Sequence, residues 1–564
     1  MQEFVYYHPK KLDFPLNEEI KVSTNTEELV GENFLISNDT AVDAEVYTKD
    51  VNFYLDNTQD SIAKQIGNVH KLYEVAATKY DFAQDISYDK NIDNKVLLIA
   101  TQEESESFLA QVEDDEFELF HISSEIIKSI TGNIGDLSVI VHKNEKDTQI
   151  EVDQIVWFAA QQEGLKQSGT FDPLESSIKN VLDTLRANIK SFEYKKFTTY
   201  DATICQYHER REEICSKCEE VCPTVAIIKH DDTKHLEFSQ IDCHSCGGCI
   251  SVCPSGALEY APTNQESLFE MSKFYKETHP LIIPAKMDIE NLEIGLKENV
   301  LPFSIDGEKF LHESTLLTLT QISGSQVIFY SDFISKGTGD AIQILNDIYQ
   351  LKYQKDAVII AMTKEELKDA IENVSFVENS YFNMPQDEYK KREIFSLRLK
   401  NLVGDDNLGV VKTGEHIHYA KVKVNEDTCT LCLSCVGACN VGALAAEVKD
   451  NTLVLNPSLC TACGYCEVSC PESSCITIEK DIIELEPNWF KQSVLAQDEL
   501  FACVECGKEF ATTKAVEKIA NIMKPMFAND PVKQRTLYCC ADCKPKIMMQ
   551  SYEDKKREGA TNGK

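Results

Sequence analysis

A run of four cysteines that occurs twice in the carboxyl-terminal third of the chain constrains its fold more than any other feature. The first run is Cys429, Cys432, Cys435 and Cys439, with two, two and three residues between successive cysteines. The second run repeats this spacing after an interval of 20 residues, as Cys460, Cys463, Cys466 and Cys470. Cysteines two residues apart in tight loops can converge on one metal centre, and a more distant fourth thiolate can link two runs. The pattern therefore predicts two metal centres held by interleaved runs.

This spacing resembles that of bacterial ferredoxins, in which three cysteines of a run bind one [4Fe–4S] cluster and the fourth binds the other cluster. The resemblance implies one cluster on Cys429, Cys432, Cys435 and Cys470, and a second on Cys460, Cys463, Cys466 and Cys439. One departure is that Asn440, rather than proline, follows Cys439. Pairs of cysteines also bind zinc, but two successive four-cysteine runs favour the iron–sulfur interpretation.

An upstream segment repeats this pair of cysteine runs in altered form. Its intact run is Cys243, Cys246, Cys249 and Cys253, followed by Pro254. Cys215, Cys218 and Cys222 precede that run, and 20 residues separate Cys222 from Cys243, the same interval as in the downstream pair. The chain therefore contains an internal repeat. In the equivalent alignment, Cys475 of the downstream copy corresponds to Ala257 and is expected to be a buried, inert thiol rather than a spare ligand.

One cysteine of the upstream copy is displaced. Regular spacing requires a cysteine at position 212, where Glu212 stands, and Cys205 precedes Cys215 by nine intervening residues. An inserted loop would give one cluster on Cys205, Cys215, Cys218 and Cys253, and another on Cys243, Cys246, Cys249 and Cys222. The alternatives are a three-iron cluster or ligation by His208. His244 lies inside a cluster loop and is expected not to be a ligand.

Two further cysteine pairs lie near the carboxyl terminus. Cys503 and Cys506 form one CxxC pair, Cys540 and Cys543 form the other, and 33 residues separate the pairs. Four thiolates in this arrangement are typical of a zinc ribbon with a closed tetrahedral site. Cys539 could take the place of Cys540 as a ligand, but the CxxC spacing favours Cys540. A rubredoxin-like iron site and a redox-active dithiol are the alternatives to structural zinc.

The remaining sequence predicts an α+β multidomain protein, because 564 residues exceed the size of a single core. Strands are predicted at 95–101, 117–122 and 137–142 with helices at 103–112 and 123–131, and a helix is predicted to follow Asp172. Strands are predicted at 326–330 and 357–362 on either side of a helix at 339–353, and a helix at 364–374 follows. The predicted domains are an N-terminal α/β domain (1–200), a first ferredoxin-like module (201–262), a cysteine-free α/β domain (263–407), a second module (408–490), a zinc-ribbon-like domain (491–550) and a disordered tail (551–564).

Composition restricts the environment and the partners. The net charge of −37 disfavours binding to nucleic acid, where affinity depends on Lys and Arg, and suits a partner with a basic surface. The amino-terminal sequence has no apolar segment typical of a signal peptide, and no apolar run approaches the length of a membrane span. The cysteines, 22 in all, are therefore expected to serve mainly as metal ligands in a reducing cytoplasm rather than as disulfides.

The two modules resemble tandem 2[4Fe–4S] ferredoxins, as in polyferredoxins and in the electron-transfer subunits that serve formate dehydrogenases and hydrogenases. The resemblance implies four [4Fe–4S] clusters and transfer of electrons to or from a separate redox enzyme. Gly337 and Gly339 open a helix where an anion could bind, but a plain helix start is the favoured interpretation, and no dinucleotide fingerprint follows a predicted strand. A catalytic oxidoreductase subunit with an unrecognised cofactor site, and an iron–sulfur redox sensor, are the alternatives.

Overall fold

The computed structural model describes residues 4–8, 22–24, 34–113, 116–143, 146–160, 165–289, 291–447, 449 and 451–561. They divide into two compact units: Met1–Arg398 with Gly414–Ile417, and Leu399–Thr413 with His418–Lys564. Each unit contains one of the two cysteine-rich modules. The expected mixture of helices and strands is confirmed, whereas the finer domain boundaries stay predictions. None of the helices in the described part of the chain combines the length and the apolar character needed to cross a membrane.

The first unit begins with two parallel sheets. The strands of the first sheet lie in the order Val22–Ser23, Phe4–Tyr7, Phe34–Ser37 and Val46–Tyr47, followed in the chain by helices Lys49–Asn57 and Ile62–Phe82. The strands of the second lie in the order Thr170–Phe171, Gln154–Trp157, Lys95–Ile99 and Glu118–Ile122, with helix Gln102–Leu109 between the last two in sequence. The predicted strands at 95–101 and 117–122 are therefore present and pair in parallel.

The helix predicted at 123–131 is wrong. Residues Ser124–Ile126 form a single 3₁₀ turn, and Ile127–Thr131 is a strand of an antiparallel sheet in the order Lys146–Val152, Leu137–Lys143 and Ile127–Thr131. Ile127 and Ile130 pack against a core that contains Leu137 and Val139. Burial of these β-branched side chains on the sheet outweighs the helical pattern of the sequence.

The helix predicted after Asp172 is interrupted. The Asp172 carboxylate accepts a hydrogen bond from the backbone N–H of Leu174 at 2.8 Å and caps a short helix, Pro173–Ser176. Ser177 then has φ 79°, and its hydroxyl accepts from Asn180 at the start of a second helix, Ile178–Asn188. This second helix buries Val181, Leu182 and Leu185 as the sequence pattern indicates.

The cysteine-free segment is a four-stranded parallel sheet with helices. Its strands lie in the order Val300–Ile305, His279–Pro284, Val327–Tyr330 and Val358–Ala361. The helices are Gln265–Lys273, Glu313–Ser323, Lys336–Tyr353, Lys364–Asn373 and Lys391–Val403. Both predicted strands and both predicted helices of this segment are present, with ends shifted by a few residues.

Short antiparallel pairs and one-turn helices frame the cysteine runs. In the first unit the pairs are Phe192–Lys195 with Ser87–Lys90, Thr198–Tyr200 with Leu258–Tyr260, and Ile227–His230 with His235–Phe238, and the helices are Lys217–Glu220 and Gly248–Ser251. In the second unit Ala420–Val424 pairs with Ile476–Lys480, Val410–Lys412 with Ile482–Glu484, and Thr452–Leu455 with both Leu444–Glu447 and Ser493–Gln497. Its one-turn helices are Ser434–Ala438 and Tyr465–Val468. Further 3₁₀ turns are Ala202–Ile204, Ala261–Thr263, Pro457–Leu459, Pro487–Phe490 and Lys524–Phe527.

The carboxyl-terminal segment consists of one hairpin and three helices. The hairpin pairs Leu500–Ala502 with Glu509–Thr512, and the helices are Thr513–Met523, Pro531–Thr536 and Cys543–Thr561. The prediction of a disordered tail at 551–564 is therefore wrong as far as Thr561, and the last three residues lie outside the described part. The tail sequence is polar but rich in Glu, Lys and Arg, which are good helix formers, so it continues the helix that begins at Cys543.

The helix Lys336–Tyr353 starts directly against the first cysteine-rich module. A Cβ atom added at Gly337 would lie 2.5 Å from the Ser251 hydroxyl oxygen and 2.8 Å from a methyl carbon of Val252. The Ser335 hydroxyl caps the helix by accepting a hydrogen bond from the N–H of Thr338 at 3.2 Å. Gly337 thus permits close packing of this helix against the helix that precedes Cys253.

We predict that Gly337→Ala destabilises the protein by about 1–3 kcal/mol, because the new methyl group overlaps Ser251 and Val252. Gly339→Ala is the matched control, since the nearest atom to its new Cβ is a methyl carbon of Ile334 at the ordinary distance of 3.7 Å. Thermal unfolding of the anaerobic protein, followed by circular dichroism, should show a lower midpoint for Gly337→Ala alone. Equal midpoints for the two variants would contradict the packing argument.

Candidate metal centres

The first group of thiols combines Cys205 with three cysteines of the upstream repeat. Cys205 follows the 3₁₀ turn Ala202–Ile204, Cys218 lies in helix Lys217–Glu220, and Cys253 follows helix Gly248–Ser251. Burial raises the pKa of Cys218 well above its ordinary value, and the neighbouring thiols of Cys253, Cys215 and Cys205 raise it further. Burial raises the pKa of Cys215 to about 12, and the thiols of Cys253 and Cys205 also raise it, against a backbone hydrogen bond from Lys217 that lowers it. The structure therefore brings these four cysteines together.

The nine residues between Cys205 and Cys215 pack against the hairpin formed by 227–238. The Tyr207 hydroxyl donates to Asp231 at 2.8 Å, and the N–H of Glu209 donates to the carbonyl of Lys234 at 3.0 Å. The Nδ1 atom of His208 lies 3.3 Å from Nδ1 of His235 on the same hairpin. Two residues were considered as the displaced ligand, Cys205 and His208. Cys205 stands beside the other thiols, whereas this ring nitrogen of His208 faces His235.

The second group lines one cavity of the first module. Cys222, Cys243, Cys246 and Cys249 share its wall with apolar side chains, including Ile227, Phe238 and Tyr260. Burial raises the pKa of Cys249 well above its ordinary value, followed by the effects of Cys243, Cys246 and Cys222. Cys253 of the first group also contributes, so the two groups are neighbours. His244 lines the same cavity, and burial lowers its pKa.

The third group lines a cavity of the second module. Its walls include Cys429, Cys432, Cys435 and Cys470, together with the side chains of Leu453 and Ile476. Burial raises the pKa of Cys435 to about 12, followed by the effects of Cys429, Cys432 and Cys470. A fifth cysteine, Cys475, lines this cavity too and is 2% exposed.

The fourth group adjoins the third. The pKa of Cys466 is raised by burial, then by the neighbouring thiols of Cys460, Cys463 and Cys439. Cys435 of the third group acts on Cys466 as well. Each module therefore contains two adjacent groups of four thiols, and in both modules one cysteine of each run lies in the other run's group.

The loops between the cysteines share an unusual backbone conformation. In each of the three complete runs, the second and fourth residues after the first cysteine have positive φ: Ser245 and Gly247 (53° and 77°), Leu431 and Leu433 (51° and 60°), and Ala462 and Gly464 (59° and 83°). Four of these residues are not glycine, so the conformation carries an energetic cost that the surrounding structure must offset. Alternating right- and left-handed residues turn successive N–H groups to one side, an arrangement that occurs at iron–sulfur sites.

Buried cations adjoin the first group. The Lys391 ammonium donates to the carbonyl of Cys253 at 2.9 Å and lies 3.5 Å from the Glu313 carboxylate, and the Arg392 guanidinium donates to the carbonyl of Pro254 at 2.7 Å. The side chains of Lys391 and Glu313 are 5% and 0% exposed. Sequence reasoning missed this feature. Its signal in the sequence was the basic run Lys390–Arg392 in an acidic chain, in which Lys391 lies 138 residues from Cys253.

The carboxyl-terminal cysteines form a group of another kind. The Sγ atoms of Cys503, Cys506, Cys540 and Cys543 all lie within 4.8 Å of one another, and those of Cys506 and Cys540 are 3.8 Å apart. Sulfur atoms bound tetrahedrally to one zinc ion lie ~3.8 Å apart, given a zinc–sulfur distance of about 2.3 Å. The spacing therefore suits a single ion.

Backbone N–H groups lower the pKa of one cysteine of this group, Cys503. Burial raises the pKa of Cys503, but hydrogen bonds from the N–H groups of Cys540, Glu505 and Cys506 lower it to about 6 overall. The N–H of Cys540 lies 3.3 Å from the Cys503 sulfur. Gly507, with φ 72°, turns the chain after the first pair. Cys539 lies outside the group, and its thiol donates to the carbonyl of Arg535 at 3.3 Å.

The carboxyl-terminal segment packs on the loop that carries Cys429 and Cys432. The Thr512 hydroxyl donates to the carbonyl of Thr430 at 2.9 Å, and the Lys514 ammonium donates to the carbonyl of Glu426 at 2.7 Å. Lys518 forms an ion pair with Glu472, whose carboxylate also accepts from the Thr430 hydroxyl at 3.1 Å. The second module is thus supported by residues outside its own cysteine pattern.

Comparison with protein families agrees with this arrangement. Residues 421–471 match a family model described as a 4Fe-4S dicluster domain, and residues 213–258 match another model with the same description. The downstream match contains all eight cysteines from Cys429 to Cys470, and the upstream match contains seven but begins after Cys205. No curated protein matches the chain. The chain therefore contains two segments in tandem that match 4Fe-4S dicluster domains of the ferredoxin type.

Proposed function

We propose that this chain carries four [4Fe–4S] clusters and relays electrons to or from a separate redox enzyme. The observation that carries the proposal is the presence of four groups of four thiols, arranged as two adjacent pairs. A [4Fe–4S] cluster supplies reversible one-electron chemistry when bound. The ligands are the sixteen cysteines Cys205, Cys215, Cys218, Cys222, Cys243, Cys246, Cys249, Cys253, Cys429, Cys432, Cys435, Cys439, Cys460, Cys463, Cys466 and Cys470.

The chemistry of the thiol groups supports this assignment. Buried thiols that raise one another's pKa cannot all ionise unless a positively charged centre is bound to them. Iron ions in a cluster provide that charge, and the N–H groups presented by the left-handed loop residues provide hydrogen bonds to sulfur. Apolar side chains such as Leu453 and Ile476 keep water from the site. These features adjust the reduction potential, which depends on charge, hydrogen bonds to sulfur and solvent exposure.

The relay role is supported by the adjacency of the groups and by charge. Cys249 neighbours Cys253, and Cys466 neighbours Cys435, so each module offers two neighbouring redox centres. The net charge of −37 favours docking of a partner with a basic surface through complementary electrostatics. The resemblance to electron-transfer subunits makes a formate dehydrogenase or a hydrogenase the proposed partner, in the cytoplasm.

We further propose that Cys503, Cys506, Cys540 and Cys543 hold a structural zinc ion. The four sulfurs suit a closed tetrahedral site, and the contacts of Thr512, Lys514 and Lys518 with the second module give such an ion a role in stabilising the Cys429 loop.

After anaerobic reconstitution, the chain should contain about sixteen irons and accept about four electrons in a reductive titration. The reduced protein should then pass electrons to a purified formate dehydrogenase or hydrogenase, at a rate that falls with ionic strength because the surfaces attract each other electrostatically. Iron analysis and electron paramagnetic resonance measure the first result, and reoxidation followed by absorbance measures the second. A much lower iron content with an equivalent excess of zinc would rule out the four-cluster assignment.

We expect Cys205→Ala to lose between one and four irons from the first module, because its cluster lacks a ligand. His208→Ala, which removes the alternative ligand, should retain the full iron content of the unaltered protein. Iron analysis and the electron paramagnetic resonance spectrum of the reduced protein distinguish a lost cluster from a three-iron form. Iron loss in His208→Ala, with retention in Cys205→Ala, would reverse the assignment.

The adjacent cysteines Cys539 and Cys540 provide a matched test of the carboxyl-terminal site. Cys540→Ser should lower the zinc content by about one ion, because it removes a ligand from a four-thiolate site. Cys539→Ser should retain the zinc, since its sulfur bonds to the carbonyl of Arg535 instead. Metal analysis by mass spectrometry makes the comparison. Equal zinc contents in the two variants would exclude Cys540 as the ligand.

A further inference from the structure

The third group of thiols has one cysteine more than a [4Fe–4S] cluster needs. Cys475 lines the same cavity as Cys429, Cys432, Cys435 and Cys470, and its side chain is only 2% exposed. The thiols of Cys429 and Cys470 are its neighbours, and its own thiol donates a hydrogen bond to the carbonyl of Asn425 at 3.7 Å.

The backbone holds Cys475 firmly at this cavity. Its N–H donates to the carbonyl of Glu472 at 3.3 Å, and its carbonyl accepts from the N–H of Asn425 at 2.7 Å. Strand Ile476–Lys480 begins at the next residue and pairs with Ala420–Val424. Cys475 is therefore fixed directly before strand Ile476–Lys480, whereas Cys470 lies before the loop 471–474.

That loop differs between the two modules. In the first module three residues separate Cys253 from Ala257, and Pro254 and Ser255 among them are buried. Lys391 and Arg392 hold this loop through the carbonyls of Cys253 and Pro254. In the second module four residues separate Cys470 from Cys475, and three of them, Pro471, Ser473 and Ser474, are exposed. The longer loop leaves Cys470 half-buried and more open to solvent than Cys475.

We propose that Cys475 is a reserve ligand that takes the coordination position of Cys470 when Cys470 leaves the Cys429 cluster. This inference rests on the proposed function, since it requires a cluster at this site. In the exchange, the bond from iron to the Cys470 sulfur breaks and a bond from iron to the Cys475 sulfur forms. The Cys475 thiol gives its proton to the released Cys470 thiolate, so the exchange needs no oxidant, reductant or net uptake of protons. Pro471, Ser473 and Ser474 are exposed, so Cys470 can move without unpacking the side chains of these residues from the core.

The exchange gives the second module a property that the first lacks. Ala257 occupies the corresponding position of the first module and has no ligand atom. A modified or displaced Cys470 therefore leaves the Cys429 cluster with four thiolates, whereas loss of Cys253 leaves the corresponding cluster with three. We infer that the Cys429 cluster persists when Cys470 is modified or displaced.

The test compares iron contents after anaerobic reconstitution. Cys470→Ala should retain about sixteen irons per chain, as should Cys475→Ala, whereas the double variant should lose between one and four. Two single variants serve as matched controls and should lose iron: Cys253→Ala, whose module has Ala257, and Cys432→Ala, because the proposed exchange replaces Cys470 alone. The reduced Cys470→Ala protein should also show a changed electron paramagnetic resonance signal for one cluster, because a ligand has been replaced.

The outcomes separate this inference from the proposed function. An unaltered protein without four clusters would refute the proposed function itself. An unaltered protein with four clusters, together with equal iron loss in Cys470→Ala and in the double variant, would overturn the reserve ligand alone. If Cys470→Ala does not fold, Cys470→Ser preserves the size of the side chain, and Mössbauer spectra decide the question. The expected result is four thiolate ligands in Cys470→Ser, and an oxygen-ligated iron in that variant would overturn the proposal.

Discussion

Mutual repulsion among buried thiolates is the constraint on which the rest of this structure depends. The thiols of Cys215, Cys218 and Cys435 have raised pKa values because they are buried and because other thiols face them. Their ionised form becomes stable only when a cation is bound among them. The short helices and left-handed loop residues that position these cysteines are therefore stabilised by the metal centre as much as by their own packing.

The two modules obtain their external support from different parts of the chain. In the first unit, the helix Lys391–Val403 supplies Lys391 and Arg392 to carbonyls beside Cys253, and the start of helix Lys336–Tyr353 packs on Ser251. In the second unit, the carboxyl-terminal segment contacts the Cys429 loop through Thr512 and Lys518. Buried cations favour the more negative, reduced state of a nearby cluster. The Cys253 cluster thus has an electrostatic environment that the cysteine spacing does not reveal.

The cysteine pattern predicted the grouping of the thiols because covalent spacing limits which sulfurs can meet. It also indicated Cys205, despite the insertion, because the count of ligands left one position to fill. The strands at 326–330 and 357–362 were predictable since buried parallel strands have continuous apolar sequences. The prediction of a helix at 123–131 was wrong because Ile127–Thr131 pairs with strand Leu137–Lys143. The periodicity of a short segment gives no information about such a partner strand. The contacts of Lys391 required knowledge of the tertiary fold.

The cysteine-free segment is consequently part of the environment of the first module and more than a spacer between two modules. Position 337 is occupied by glycine, and a side chain there would overlap Ser251. The buried ion pair between Lys391 and Glu313 lies against Cys253. A buried pair of this kind contributes little to stability by itself, because desolvation of both charges offsets their attraction. Its placement is better explained by the hydrogen bond from Lys391 to the carbonyl of Cys253, which fixes the backbone of this cysteine. The loop after Cys470 makes no corresponding bond to a buried cation pair, and the second module has a longer, more exposed loop and an additional thiol at that position.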